Sequence, residues 1–108
     1  MDDTTGNWTR LAARSDVPDG EVVAVALGGR QIALYNLAGE IFATDNICTH
    51  AHACLSEGWL EDGIIECPLH QGRFDVRTGK GLGAPIDKDL QTFRVRIEGE
   101  DVLVAVTP

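Results

Sequence analysis

Tight-turn pairs recur along this chain at Asp19-Gly20, Gly28-Gly29, Ala38-Gly39, Asp62-Gly63 and Gly99-Glu100, with short apolar stretches between them. No stretch keeps a helical apolar repeat long enough for a substantial helix, so the spacing predicts strands joined by hairpins. The expected strands are Trp8–Ala13, Glu21–Leu27, Gln31–Leu37, Ile41–Asp45, Gly63–Glu66, Arg73–Val76, Thr92–Ile97 and Asp101–Val106. Such an order suggests an all-β chain, an antiparallel β-sandwich or small barrel. At 108 residues it has material for one hydrophobic core, and 1–108 is expected to be a single domain.

Three stretches break the strand rhythm: Asn46–Gly58, Pro68–Gly72 and Thr78–Leu90. Loops held on a rigid sheet carry most binding chemistry, so function is expected there. The first holds Cys48 and His50 and the second is flanked by Cys67 and holds His70, giving CxH, sixteen residues, then CxxH. Two thiols and two imidazoles can grip one metal centre once the hairpin between them, Leu55–Glu66, returns the chain. A tetrahedral zinc could use all four. The alternating order suits a two-iron cluster better, because one iron can take both thiolates and the other both imidazoles.

Composition narrows the partners. Seventeen acidic against nine basic residues give a net charge of -8, a surface that repels phosphate backbones and attracts basic proteins. No nucleic-acid partner is expected. There is no apolar run near the roughly eighteen residues a membrane helix needs, and the start, MDDTTGNW, is acidic and polar, so a cytoplasmic protein without membrane attachment is expected. Three cysteines without an export signal point to metal binding or buried thiols and away from disulfides.

The motifs CTH (48–50) and CPLHQGRFD (67–75) resemble the two cluster-binding loops of the Rieske family, and the likeness runs over nearly the whole chain. Within that family the chain is similar to the ferredoxins of bacterial aromatic-ring-hydroxylating dioxygenase systems of the naphthalene dioxygenase type, which also carry forms of ATDN (43–46) and TG with a later Pro (78, 79, 85). The resemblance implies a Rieske-like sandwich with a small cluster-binding subdomain formed by two loops, at about 46–85, and one [2Fe-2S] cluster. It implies Cys48 and Cys67 on the inner iron, His50 and His70 on the outer iron through Nδ1, and Pro85 in a third loop covering the cluster. The implied role is a monomeric one-electron carrier, not an enzyme, between a ferredoxin reductase fed by NAD(P)H and a terminal oxygenase. The small subunit of an assimilatory nitrite reductase is the alternative within the same fold, and a zinc-binding interaction module the alternative outside it.

Departures from the family's high-potential branch bear on redox behaviour. Leu69 stands where that branch has a disulfide Cys, and Gly72 and Phe74 stand where it has hydroxyls bonded to cluster sulfurs. Fewer such bonds predict a potential near the bottom of the Rieske range of about -150 to +300 mV. Ala51 follows CTH where Gly is frequent, so a positive φ there would be strained. His52 reads as an exposed loop histidine, Cys54 as a small buried apolar residue, Trp8 and Trp59 as core or edge packing, and Phe74 as packing under the second loop. Gly79, Gly81 and Gly83 lack the strand-to-helix setting of a phosphate loop and read as flexibility beside Pro85.

Overall fold

The turn pairs set the register of the sheets in a computed structural model that describes residues 8–49, 53–69, 71–83, 86 and 88–105. Nine strands are present among them: β1 (Trp8–Ala13), β2 (Val22–Leu27), β3 (Arg30–Leu37), β4 (Glu40–Asp45), β5 (Trp59–Glu61), β6 (Ile64–Glu66), β7 (Arg73–Asp75), β8 (Thr92–Glu98) and β9 (Asp101–Ala105). In the β3–β4 hairpin Leu37 faces Glu40, leaving Ala38 and Gly39 as a two-residue loop with φ of 55° and 96°. Asp62 and Gly63 do the same between β5 and β6, with φ of 55° and 76°. Two successive positive φ values give the loop whose twist matches that of antiparallel strands, and Gly in the second place spares one of the two left-handed residues a Cβ penalty.

The strands form a six-stranded sheet, ordered β1-β9-β8-β4-β3-β2, and a three-stranded sheet, ordered β5-β6-β7, with every pairing antiparallel. β4 and β8 pair through only Ala43–Phe93 and Thr44–Thr92, so the large sheet folds over at this seam. Ala12, Phe93, Val102 and Val104 from one half then pack with Ile32, Leu34, Ile41 and Ala43 from the other. The expected antiparallel sandwich is therefore formed.

β3 belongs to two cores at once. Its Ile32, Ala33, Leu34 and Tyr35 are all fully buried, and the two-residue period of a strand sends them alternately to opposite faces. Ile32 and Leu34 enter the sandwich core, while Ala33 and Tyr35 join Cys48, Leu55, Ile65, Cys67, Phe74, Val76 and Leu90 in a second core under the small sheet. The loop region is thus seated on the sandwich by a continuous apolar layer.

Two details differ from the sequence expectation, an extra strand and two short 3-10 turns. The sequence places β5 only within a hairpin; its Trp-Leu-Glu is too short for its alternation to register as a strand signal. The loops consequently stand on a small sheet of their own. Short 3-10 turns at Arg14–Asp16 and Leu55–Glu57 are also additions, because three residues carry no periodic signal. Val106, expected in the last strand, lies outside the described residues.

Candidate metal centre

Asn46, at the end of β4, organises the first loop. Its side chain is completely buried, with Nδ2 donating to Gln31 Oε1 at 3.0 Å and Oδ1 accepting from the Ser56 N–H at 2.8 Å. Its backbone adds bonds to Gln31 O and from Leu55 N, and Cys48 N donates to Ala53 O at 2.9 Å. The loop is thereby pinched shut at its base, with Cys48 turned into the core. Asn46→Ala leaves the Ser56 N–H and the Gln31 amide without these partners and is expected to cost about 2–3 kcal/mol of stability in urea unfolding.

The second loop leaves β6 at Cys67 and returns to β7 at Arg73. Cys67 N donates to Gly72 O at 2.6 Å, closing the loop, and Gln71 takes a left-handed φ of 58° to make the turn. Cys67 is fully buried, and the Leu69 N–H points at its Sγ at 3.4 Å. Leu69 itself is 46% exposed, so side chains on either side of this turn point to opposite environments.

The third stretch straps the other two. Leu82 N donates to Arg73 O, Gly81 N to Asp89 Oδ1, and Thr49 Oγ1 to the Lys88 carbonyl at 2.8 Å. Ile86 wedges between Gly72 and Gly81; a Cβ added at Gly72 would come within 2.5 Å of Ile86 Cδ1. A larger side chain at Gly72 would therefore require the end of Ile86 to move aside.

Cys48 and Cys67 come together beneath these loops. They are buried in the same core cluster, close enough for Cys48 to bear on the titration of Cys67, and neither forms a disulfide. Burial, foremost, pushes the Cys67 thiol up to about 11; the neighbouring Cys48 adds to this and the Leu69 N–H opposes it. The Cys67 thiol does not ionise unaided near neutral pH, and a bound metal would supply the positive charge that makes it a thiolate. This donor pair fits a thiolate-bound iron. His50 and His70, together with Ala51, His52 and Pro85, lie outside the described residues.

Near the thiols, Tyr35 is also held neutral. Thr44 Oγ1 donates to Asp45 O, so the 2.8 Å bond between Tyr35 and Thr44 is donated by the phenol, and burial raises the phenol's pKa well above its ordinary 10.0. In metal-free protein the unfolded chain releases the Cys67 and Tyr35 protons near 9.0 and 10.0 while the folded chain keeps them. Their contribution is complete below about pH 9 and lost as pH rises through about 11 and beyond. The urea midpoint of iron-free protein is expected to fall over that interval, and to fall less steeply in Tyr35→Phe.

Two residues outside the pair differ from expectation. Cys54 is half-buried, not buried, with Sγ 3.7 Å from Gln31 Oε1. Trp59 is 61% exposed on the edge strand and packs into no core, whereas Trp8 lies under the Arg94 and Arg96 guanidiniums at 5.7 and 5.9 Å. Phe74 is fully buried in the core that holds Cys67. Asn46 and Ile86 carry no sequence signal for their roles beyond the ATDN motif and proximity to Pro85.

Comparison with known proteins agrees with this geometry. Residues 7–94 match the Rieske [2Fe-2S] domain. The ferredoxin component of the naphthalene 1,2-dioxygenase/salicylate 5-hydroxylase systems of Ralstonia sp is 54% identical over 93% of this chain and 96% of its own length. The solved ferredoxin of Sphingomonas yanoikuyae B1 superposes with a TM-score of 0.88 at 41% identity, covering 94% of this chain and 100% of the other. A chain in the complex of reduced oxygenase and oxidized ferredoxin of carbazole 1,9a-dioxygenase gives 0.86 at 37% identity, covering 91% and 92%. With two buried thiols facing one another under loops of the expected spacing, and with a family match over most of its length, this chain belongs to the Rieske [2Fe-2S] family.

Proposed function

We propose that the chain is the ferredoxin component of an aromatic-ring dioxygenase system, carrying one electron at a time from a reductase to a terminal oxygenase. The observation that carries this reading is the convergence of Cys48 and Cys67 in one core, beneath loops that also bear His50 and His70. Cys48 and Cys67 would hold one iron of the cluster and His50 and His70 the other. The bound cluster supplies a one-electron couple, whose imidazole ligands raise its potential relative to a four-Cys cluster.

The chain's own residues do the remaining work. The core around Phe74, Ile65 and Leu55 excludes water from the thiolate side, and the Leu69 N–H donates to Cys67 Sγ. Among the described residues each of the three loops exposes one large apolar side chain, Ile47, Leu69 and Leu82, so a partner can seat against the loops without displacing tightly held water. Gly72 and Phe74 offer no side-chain hydroxyl toward a bound cluster, which favours a potential low in the Rieske range. Among the described residues no helix is long and apolar enough to cross a membrane. A monomer in the cytoplasm, free of nucleic acid, suits a shuttle that meets two partners in turn.

An acidic carrier speeds its encounters with basic partners by long-range attraction. Reconstituted with the reductase and terminal oxygenase of the Ralstonia sp system, the protein is expected to support NAD(P)H-driven substrate oxidation that slows as salt rises. Turnover that stayed flat from low to high ionic strength would remove electrostatic docking. No turnover at all would remove the carrier role.

A further inference from the structure

The small sheet has two faces. Leu60, Ile65 and Phe74 stand opposite one another across the three strands and point into the core. The alternate positions form two outward rows: Trp59, Glu66 and Arg73, then Glu61, Ile64 and Asp75. A groove of about 200 Å³ runs over this outer face, lined by Trp59, Glu61, Asp62, Ile64, Glu66 and Arg73. β5 is an edge strand, and among the described residues nothing covers its tryptophan, which is 61% exposed.

The chain itself shows what a tryptophan in such a setting attracts. Trp8, on the sandwich, lies within 6 Å of two guanidinium groups of its own chain. Trp59 has no such cation over its ring among the described residues, yet it shares its groove with Glu61, Asp62 and Glu66. Arg73 is engaged with Glu66 at 3.4 Å, which leaves Glu61 and Asp62 beside the indole without that cation. An indole face next to two carboxylates is complementary to an arginine side chain, which can stack on the ring while its N–H groups reach an acid. Position adds a second reason, because Glu66 and Arg73 border the loop that begins at Cys67. Anything seated on this face lies against the second cluster loop.

We propose that the outer face of the small sheet is a docking surface for an arginine-bearing patch of an electron-transfer partner, with Trp59 as the stacking platform and Glu61 and Asp62 as the charge partners. The inference rests on the carrier reading and adds a lateral contact to the loop tip. Exposed aromatics backed by charge are the usual anchors of protein interfaces.

The test uses the cluster-loaded protein with the Ralstonia sp reductase and terminal oxygenase as probes, comparing wild type with Trp59→Ala, Trp59→Phe and Glu61→Gln. Trp59→Ala is expected to raise the half-saturating concentration for at least one partner by about tenfold with the saturated rate unchanged. Trp59→Phe keeps an aromatic face and should recover most of the loss, while the smaller effect of Glu61→Gln should vanish in high salt. The visible spectrum and midpoint potential should not move in any variant. Wild-type half-saturation in all three variants overturns the docking face and leaves the carrier role standing. A changed spectrum or potential in Trp59→Ala, with Trp59→Phe and Glu61→Gln like wild type toward both partners, makes Trp59 structural and overturns it too. A wild-type protein that exchanges electrons with neither partner overturns the carrier reading and this inference with it.

Discussion

Replacing Cys67 with alanine is expected to give a colourless protein with no bound iron or sulfide, while Cys54→Ala remains as brown as the wild type. Cys67 is fully buried, faces Cys48 and receives the Leu69 N–H, so it is placed to act as a thiolate that no neighbour can replace. The remaining cysteine, Cys54, is half-buried, bridges to Ile47 through its backbone, and turns its Sγ to Gln31 Oε1. Loss of one of two thiolates leaves an iron without half its soft ligands, and its affinity does not survive that. Iron and acid-labile sulfide analysis of the purified variants checks both statements. Iron retained at wild-type stoichiometry in Cys67→Ala would remove this residue from the ligand set.

Gly58→Ala is expected to destabilise the protein by about 3 kcal/mol and to shed cluster on mild heating. Gly58 ends the 3-10 turn of the first loop, donating its N–H to Leu55 O, and a Cβ there would collide with the backbone carbonyl of Glu66. The obstacle is main chain, so no rotamer change relieves it. Relief requires moving the end of β6, and with it Cys67, the next residue. Gly29→Ala is the control: a Cβ there meets nothing within 4 Å, and its stability should change by less than about 0.5 kcal/mol. Urea unfolding of the two variants, followed by circular dichroism and by cluster absorbance, separates the effects on fold and on site.

What is legible in the sequence is what is written locally. Turn pairs such as Ala38-Gly39 and Asp62-Gly63 locate hairpins because two-residue loops need left-handed backbone at their own positions. Strands β1 to β4 and β6 to β9 follow from alternation, with ends shifted by a residue or so where the hydrogen-bonded ladder stops. β5 is not legible, because one inward residue, Leu60, between two outward ones is too short a run to register as a period. The Cys48 and Cys67 pairing follows from spacing, but its supports do not. Asn46 binds Gln31 across fifteen positions and Thr49 binds Lys88 across thirty-nine, and local sequence carries no trace of such closures. The same holds for Ile86, whose role depends on two glycines brought beside it by the fold. Cys54 and Trp59 depart from expectation for one reason: hydrophobic character does not by itself mean burial, and folded proteins leave much apolar surface in water.

The most direct test of the central claim is an electron paramagnetic resonance spectrum of the dithionite-reduced protein, recorded beside the visible spectrum of the oxidised form. A brown protein giving a rhombic signal whose average g lies clearly below the free-electron value, as the Rieske family implies, is the predicted result. A colourless, silent protein that retains stoichiometric zinc after anaerobic purification would contradict it and leave the two thiols as ligands of a structural metal.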